Sequence, residues 1–178
     1  RLISISGFGV YEGGATGHFD QFGAVVPLPE DAPLRPDPTS HRFYYAVAQA
    51  EQTTMEAHRQ GRLAVTILRY PMVYGPHAYW RYEWYLVKRI LDGRRQLMLP
   101  GYGMTLMHRG YAGNLAHAVV LAIESPAAAG QVYNTGDERV LSTRQTVDLA
   151  AQVLNHSWEL VPVPYEWAPD WTYLFNKR

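Results

Sequence analysis

The feature that most constrains the fold is a short, nearly continuous apolar run at residues 63–70, LAVTILRY. Its β-branched residues favour a strand, and apolar side chains at successive positions indicate a strand that is buried on both faces. Strands of this kind lie inside parallel sheets that are covered by helices. The run therefore predicts a mainly parallel sheet.

Helical and strand patterns alternate along the rest of the chain. Residues 42–60 carry helix formers that stop before Gly61, as at a helix C-cap. Ser142 and Gln145 resemble a capping box that opens another helix. The remaining predicted elements are helices at 79–93 and 111–125, strands at 2–6 and 96–100, a strand and turn in GQVYNTGD, a proline-rich excursion at 15–40 and a turn in MVYGPHA. This alternation predicts the α/β class.

The opening stretch places a strand directly before Gly7 and Gly9, as in a dinucleotide-binding loop. The third glycine of that loop would stand at position 12, which is occupied by Glu12. Such a loop also opens a helix whose N-terminus binds pyrophosphate, whereas the residues after Glu12 carry prolines and no helical period. A strand that ends in a glycine-rich loop is the better interpretation.

Composition excludes several kinds of site. The chain has 178 residues, no cysteine, and 16 basic against 16 acidic residues. Without cysteine there is no disulfide framework, zinc–thiolate site or cysteine nucleophile, and without a basic stripe we expect no nucleic-acid partner. The seven histidines show no metal-ligand spacing, so we expect no metal. We expect no membrane span and no signal peptide, and hence a cytoplasmic protein.

Five segments, in order over about residues 1–150, together resemble the extended short-chain dehydrogenase/reductases of the NAD-dependent epimerase/dehydratase family. The segments are ISISGFGVYEGG, PLPEDAPLRPDPTS, VTILRYPMVYGP, MHRGYAGNLAHAVVLAIE and GQVYNTGDE. They are similar to that family's S-S-x-x-V-Y-G loop, E-x-x-P-x-x-P approach, L-R-x-x-x-V-Y-G-P, R-x-x-V-x-V-x-D-x-A-x-A and G-x-x-Y-N-x-G patterns. The resemblance implies a partial doubly wound, Rossmann-like sheet in residues 1–75, including the catalytic helix, and a substrate-binding region in residues 76–178.

The resemblance also implies a part that this sequence lacks. The family's glycine-rich cofactor loop, and the acidic residue that holds the adenosine ribose, lie upstream of the segments quoted above. The chain begins at Arg1, inside a strand and without methionine. We therefore expect either a piece of a longer protein, or a partial sheet whose exposed strand edge is completed by another segment or chain.

The family's chemistry needs a tyrosine with a lysine four residues later on one helix, and a serine or threonine from the strand-end loop. Here the helix reads FYYAVAQAE at 43–51. Counting back from Arg69 without gaps places Phe43 and Val47 at the tyrosine and lysine positions, whereas a two-residue shift places Tyr45 and Gln49 there. Neither register supplies a lysine, so the resemblance implies a degenerate site in which no ammonium lowers the phenol's pKa.

The loop serine of the family falls on Gly7, and Ser6 replaces it if the loop is shifted by one residue. Ser6, Tyr45 and Gln49 are therefore the candidate catalytic residues, with Gln49 able to hydrogen-bond a ribose hydroxyl. The alternative is that the three aromatic residues at the start of the helix only pack it against the sheet and a neighbouring subunit. We favour that alternative for the first two of them.

The resemblance extends to cofactor and substrate contacts. Tyr70, Pro71 and Met72 match the loop beside the nicotinamide, where backbone groups make the contacts. Arg109 matches the arginine that meets a sugar-nucleotide phosphate, a role that suits a guanidinium fork, and an ordinary surface arginine is the alternative. His77 follows YGP and is a candidate residue of the substrate cleft.

The implied activity is hydride transfer to and from NAD or NADP at a sugar carbon, during epimerisation, dehydration or reduction of a nucleotide-linked sugar. The absent lysine favours a second hypothesis, in which a catalytically silent member uses its cleft for binding or regulation. The resemblance also implies a homodimer that is paired through the helices at 42–60 and 79–92.

Overall fold

The computed structural model describes residues 1–12, 27–39, 41–79 and 81–164. The chain divides into two compact units, each built from two chain segments. The first unit contains Arg1–Pro71 and Gly113–Gly136, and the second contains Met72–Ala112 and Asp137–Arg178. The units are discontinuous in sequence, whereas the functional division expected between residues 75 and 76 is continuous and stays a prediction.

The described residues form nine strands and four helices. The strands are β1 (Leu2–Gly7), β2 (Val65–Tyr70), β3 (Met72–Tyr74), β4 (Gln96–Pro100), β5 (Leu106–Met107), β6 (Arg109–Tyr111), β7 (Val132–Asn134), β8 (Leu141–Ser142) and β9 (Glu159–Val163). The helices are α1 (Arg42–Arg59), α2 (Tyr82–Leu91), α3 (Ala112–Glu124) and α4 (Thr143–Val153).

The first unit is built on a parallel sheet with the strand order β1-β2-β7. The central strand, β2, is buried from Val65 to Arg69, which explains its continuous apolar run and confirms the predicted parallel sheet. Among the described residues β1 is an edge strand, and its Ile5 is 49% exposed. Completion of this edge by another segment or chain stays a prediction.

Helices cover both faces of this sheet. Alternate residues of β2 point to opposite faces. Leu68 packs with Ala122 of α3 on one face, and Arg69 pairs with Glu51 of α1 on the other. The arrangement is the Rossmann-like α/β architecture that the sequence predicts.

The second unit contains three two-stranded pieces. β3 pairs with β6 and β4 with β9 in parallel, whereas β5 and β8 are antiparallel. Its core joins Leu86 of α2, Leu99 of β4 and Val147 of α4. The predicted capping box of α4 is confirmed, because Ser142 Oγ accepts from the Gln145 amide and Gln145 Oε1 accepts from the Ser142 amide.

Several boundaries differ from those predicted. Met72–Tyr74 forms a strand rather than a turn, and the turn begins at Gly75, where φ is +106°. The second helix begins only at Tyr82, and β9 has no counterpart in the prediction. Part of the predicted excursion, residues 15–26 and residue 40, lies outside the described residues, and residues 27–39 are irregular apart from one bridge at Leu34.

The described residues contain neither a candidate membrane span nor a candidate metal cluster. None of the helices there is both long and apolar enough to cross a membrane. The same residues contain no group of three or more histidine, aspartate or glutamate side chains arranged to hold a metal ion.

Candidate functional site

A buried ion pair lies near the carboxyl end of β2, at the edge of a parallel sheet where ligands commonly bind. Arg69 Nη2 is 2.6 Å from Glu51 Oε2, and Arg69 Nε donates to both carboxylate oxygens. Each side chain is only 4% exposed. Burial opposes the charge of Arg69, but the hydrogen bonds and the charge of Glu51 prevail and raise the pKa of Arg69.

The pair is the centre of a larger hydrogen-bond network. Arg69 Nη1 donates to the Tyr11 hydroxyl at 2.7 Å and to the Glu30 carbonyl at 2.8 Å. The Tyr11 hydroxyl in turn donates to Asn134 Oδ1 at 2.6 Å, and Asn134 Nδ2 donates to the Leu28 carbonyl at 2.9 Å. The network therefore ties residues of the 27–39 segment to the ends of β2 and β7.

The end of β1 carries a buried hydroxyl and a closely covered turn. Ser6 is 9% exposed, and its Oγ has no hydrogen-bond partner within the described part of the chain. A Cβ added to Gly9 would lie 2.4 Å from Cε1 of Tyr44, so the tyrosine ring lies directly on the turn. Tyr44 is thus an aromatic residue that the structure places against the strand end.

The other candidate catalytic residues lie one helical turn apart on α1. Tyr45 is half-buried and Gln49 is exposed, and no hydrogen bond joins either side chain to Ser6 among the residues that the structure describes. Phe43 is 64% exposed, so it is not buried against the sheet in this chain, and the packing against a neighbouring subunit that the alternative interpretation also includes stays a prediction. The catalytic assignment of Ser6, Tyr45 and Gln49 stays a prediction.

Four of the residues expected beside the cofactor and substrate lie from the end of β2 to the turn after β3. Tyr70 ends β2, Pro71 and Met72 follow it, and His77 lies in the turn after β3. The Tyr70 hydroxyl donates to the Leu115 carbonyl at 3.1 Å, and burial raises the pKa of Tyr70. Pro71 is buried, and Met72 begins β3. His77 is exposed and has a φ of +63° in the turn after β3. The Tyr70 side chain therefore faces α3, and its predicted cofactor contact is left to the backbone.

In the second unit Arg109 has a carboxylate partner. Its side chain is 11% exposed, and Nη1 donates to Glu83 Oε1 at 2.5 Å. Its Nη2 lies 3.9 Å from Met107 Sδ, and its buried Nε has no hydrogen-bond partner within the described ranges. Arg109, the residue predicted to bind phosphate, is thus nearly buried and ion-paired, and it is not an ordinary surface arginine.

A tyrosine–aspartate pair adjoins this arginine. Tyr74 lies opposite Tyr111 in the β3–β6 pairing, with ring centroids 5.7 Å apart. The Asp137 carboxylate accepts from the Tyr111 amide at 3.2 Å and from the Tyr74 hydroxyl. Burial, the bond to Asp137 and the charges of Asp137 and Glu83 raise the pKa of Tyr74 to about 12.

This shift makes the stability of the protein depend on pH in the alkaline range. The phenol in the unfolded chain ionises near its ordinary value of 10.0, whereas Tyr74 in the folded chain keeps its proton to about 12. Between these values the folded state binds more protons, so we expect the free energy of unfolding to fall as pH rises. Urea denaturation across this range should show the fall in the parent chain and a smaller one in Tyr74→Phe.

The exposed Tyr102 offers a matched control for the same substitution, because its side chain is 73% exposed. Tyr102→Phe should keep the parent's alkaline slope. Equal slopes for the parent and Tyr74→Phe would contradict the assignment of a raised pKa to Tyr74.

Solved structures share this architecture. The dTDP-glucose 4,6-dehydratase of Bacillus anthracis, solved with NAD, is 21% identical with a TM-score of 0.67, and the match covers 92% of this chain and 49% of that one. The UDP-glucuronic acid 4-epimerase of Bacillus cereus, solved with NAD and a fluorinated UDP-sugar, is 24% identical with a TM-score of 0.67, covering 91% and 48%. These likenesses establish a Rossmann-like α/β fold.

The family follows from a second comparison. The model of the NAD dependent epimerase/dehydratase family matches residues 13–136. The chain belongs to that family. The curated uncharacterized protein y4nL of Sinorhizobium fredii is 26% identical over 102 residues, which are 57% of this chain and 28% of that protein. The chain thus spans about half the length of the solved relatives and less than a third of this curated one.

The sequence interpretation missed the network around Arg69 and the partner of Arg109. One signal was available for the first: an arginine inside a buried apolar strand has to be paired, because an unpaired buried charge is very costly. Glu51 is one of the two acidic residues of the helix that precedes this strand. For Glu83 no comparable signal exists, because it lies in an amphipathic helix whose acidic residues are normally solvated.

Proposed function

We propose that this chain forms part of an NAD(P)-dependent enzyme that epimerises, dehydrates or reduces a nucleotide-linked sugar. The observation that carries the proposal is the family match over residues 13–136. Proteins with this fold that were solved with NAD or with UDP-sugars support the same class of cofactor and substrate here. When bound, the nicotinamide supplies the hydride chemistry.

The described residues fit one side of such a cofactor. The unpartnered Ser6 hydroxyl and the backbone from Tyr70 to Met72 suit the nicotinamide side. No glycine loop among these residues opens a helix, because β1 continues into a 3-10 turn and the Tyr44 ring covers Gly9. We therefore assign none of the described residues to the pyrophosphate.

The protein groups then have distinct roles. Tyr45 holds and moves the proton at the reacting oxygen, Ser6 orients that oxygen, and Gln49 hydrogen-bonds a ribose hydroxyl. Tyr44 competes with Tyr45 for the first role because its ring lies on the turn after β1. In the second unit Arg109 binds phosphate oxygens and His77 contacts the sugar side of the ligand.

A second candidate function is a catalytically silent binding protein. The residues four positions after the three aromatic residues of α1 are Val47, Ala48 and Gln49. No helical register of this segment therefore places an ammonium beside a phenol, and the phenol lacks its usual activating neighbour. This observation favours binding or regulation over turnover.

Titration of NADH and NADPH, followed by nicotinamide fluorescence, tests the proposal and separates the two candidates. We expect saturable binding, and slow turnover of a UDP-sugar that falls at least about 100-fold in Tyr45→Phe while binding persists. Tyr44→Phe is the parallel variant, and the exposed Tyr133→Phe is the control. Native mass on the same sample reports the chain length and the predicted homodimer.

Each outcome of this titration has a separate meaning. Binding without turnover in the parent chain would favour the silent protein. A loss of turnover in Tyr44→Phe alone would transfer the acid/base role to Tyr44. If neither nucleotide bound to the chain at its confirmed mass, the proposed cofactor use would be wrong for this chain.

A further inference from the structure

Within the described residues the guanidinium of Arg109 has one charged partner, and that partner is partly exposed. Glu83 lies in the first turn of α2 with its side chain 40% exposed, whereas Arg109 is 11% exposed. We propose that Glu83 is an internal competitor for the anion site of Arg109, so that the phosphate group of a ligand binds by displacing this carboxylate. The inference rests on the proposed phosphate-binding role of Arg109.

Carboxylate and phosphate compete because they use the same donors. A guanidinium presents its N–H groups in a fixed planar fork, and both anions bind that fork in the same geometry. Glu83 already accepts from Nη1 at 2.5 Å, while the only acceptor near Nη2 in the described residues is the weakly accepting Met107 Sδ at 3.9 Å. A phosphate that binds end-on, through both Nη1 and Nη2, therefore has to replace Glu83 at Nη1.

The second carboxylate of the cluster is held in place by its own partners. Asp137 accepts from the Tyr111 amide and from the Tyr74 hydroxyl, and its amide donates to the Arg109 carbonyl at 2.8 Å. For Glu83, by contrast, the ion pair with Arg109 is the only side-chain bond among the described residues. Glu83 is therefore the carboxylate that can leave, by rotating towards solvent.

Local charge gives the exchange its selectivity. With Glu83 ionised and paired with Arg109, an anion that arrived beside this pair would be repelled by the carboxylate. Replacing Glu83 by a phosphate removes one negative charge as another arrives. We therefore expect strongly charged diphosphates to displace Glu83 and uncharged ligands to leave it paired.

Calorimetric titration with inorganic pyrophosphate, uridine diphosphate and uridine tests this competition. Glu83→Gln should bind both diphosphates about fivefold more tightly than the parent, because the departing side chain no longer carries a charge. The affinity for uridine should not change. Glu124→Gln makes the same change of net charge at the exposed end of α3 and should leave all three affinities unaltered.

Arg109→Gln separates this inference from the proposed function. Two results together would support both the phosphate-binding role of Arg109 and its competition with Glu83. Arg109→Gln should lose diphosphate binding, and the double variant Glu83→Gln/Arg109→Gln should lose the tighter binding seen in Glu83→Gln. Loss in Arg109→Gln without any gain in Glu83→Gln would overturn the competition and leave the phosphate role intact. Unchanged binding in Arg109→Gln, or no diphosphate binding by the parent or by Glu83→Gln, would overturn both.

Discussion

Replacing Glu51 with alanine is expected to lower the free energy of unfolding by about 3–5 kcal/mol, because it leaves the charge of Arg69 buried without its partner. Both side chains are 4% exposed, so water cannot replace the lost carboxylate. The remaining partners of Arg69, the Tyr11 hydroxyl and the Glu30 carbonyl, carry no charge. Urea denaturation followed by circular dichroism measures the effect.

The same helix provides a control for this substitution. Glu56 pairs with Arg59 at 2.7 Å, but these side chains are 47% and 64% exposed, so Glu56→Ala should have little effect on stability. Glu51→Ala/Arg69→Met should recover part of the loss, because it removes the orphaned charge as well. A loss in Glu51→Ala no larger than in Glu56→Ala would contradict a structural role for the buried pair.

Replacing Gly9 with alanine is expected to cost about 1–3 kcal/mol through overpacking. The added methyl group would lie 2.4 Å from two atoms of the Tyr44 ring, which is far inside contact distance. The ring has little room to move, because it packs against His41 at 4.6 Å and Phe43 at 5.2 Å between centroids. Thermal and urea unfolding of the variant measure the cost.

A double substitution tests whether the ring causes that loss. In a Tyr44→Ala background the methyl group at position 9 meets no ring, so the further cost of Gly9→Ala should fall close to zero. Additive effects of the two substitutions would show that the ring is not the obstacle. The same pair of variants measures how firmly Tyr44 is held at the end of β1, which bears on its candidacy as the acid/base group.

The sheet and its helices were predictable because their signals are local. The run at 63–70 gave β2 correctly, since a strand buried on both faces needs apolar side chains at successive positions. The capping box at Ser142 gave the start of α4, because the bonds involved join residues only three apart. A helix or strand whose stabilising features lie within one segment can be predicted from the sequence of that segment.

The second unit was less predictable because its strands are short. β3 and β6 have three residues each, and β5 and β8 have two, which is too few for an alternating pattern to stand out. These strands exist because partners distant in the chain pair with them. Their existence is therefore a property of tertiary structure and not of local sequence.

The site was predicted only in outline. Three aromatic residues in a row lie about 100° apart around a helix, and the sequence leaves their register open, so spacing alone could not select Tyr44 for the turn at Gly9. The pairing of Arg109 with Glu83 joins residues of a strand and a helix with no shared motif. Long-range ion pairs of this kind become visible only when the fold brings the charges together.

The interleaved composition of the two units has a consequence for biosynthesis. As the chain leaves the ribosome, β1, α1 and β2 are complete before the segment Met72–Ala112 of the other unit emerges. Only afterwards does β7 arrive, so that Val132 can pair with Ile67. In the interval β2, the most apolar strand of the sheet, has one open edge on the nascent chain, where mispairing with another chain is possible. For the same reason no single cut isolates the first unit, whereas a gene that joins Pro71 to Gly113 through a linker would encode it as one continuous chain.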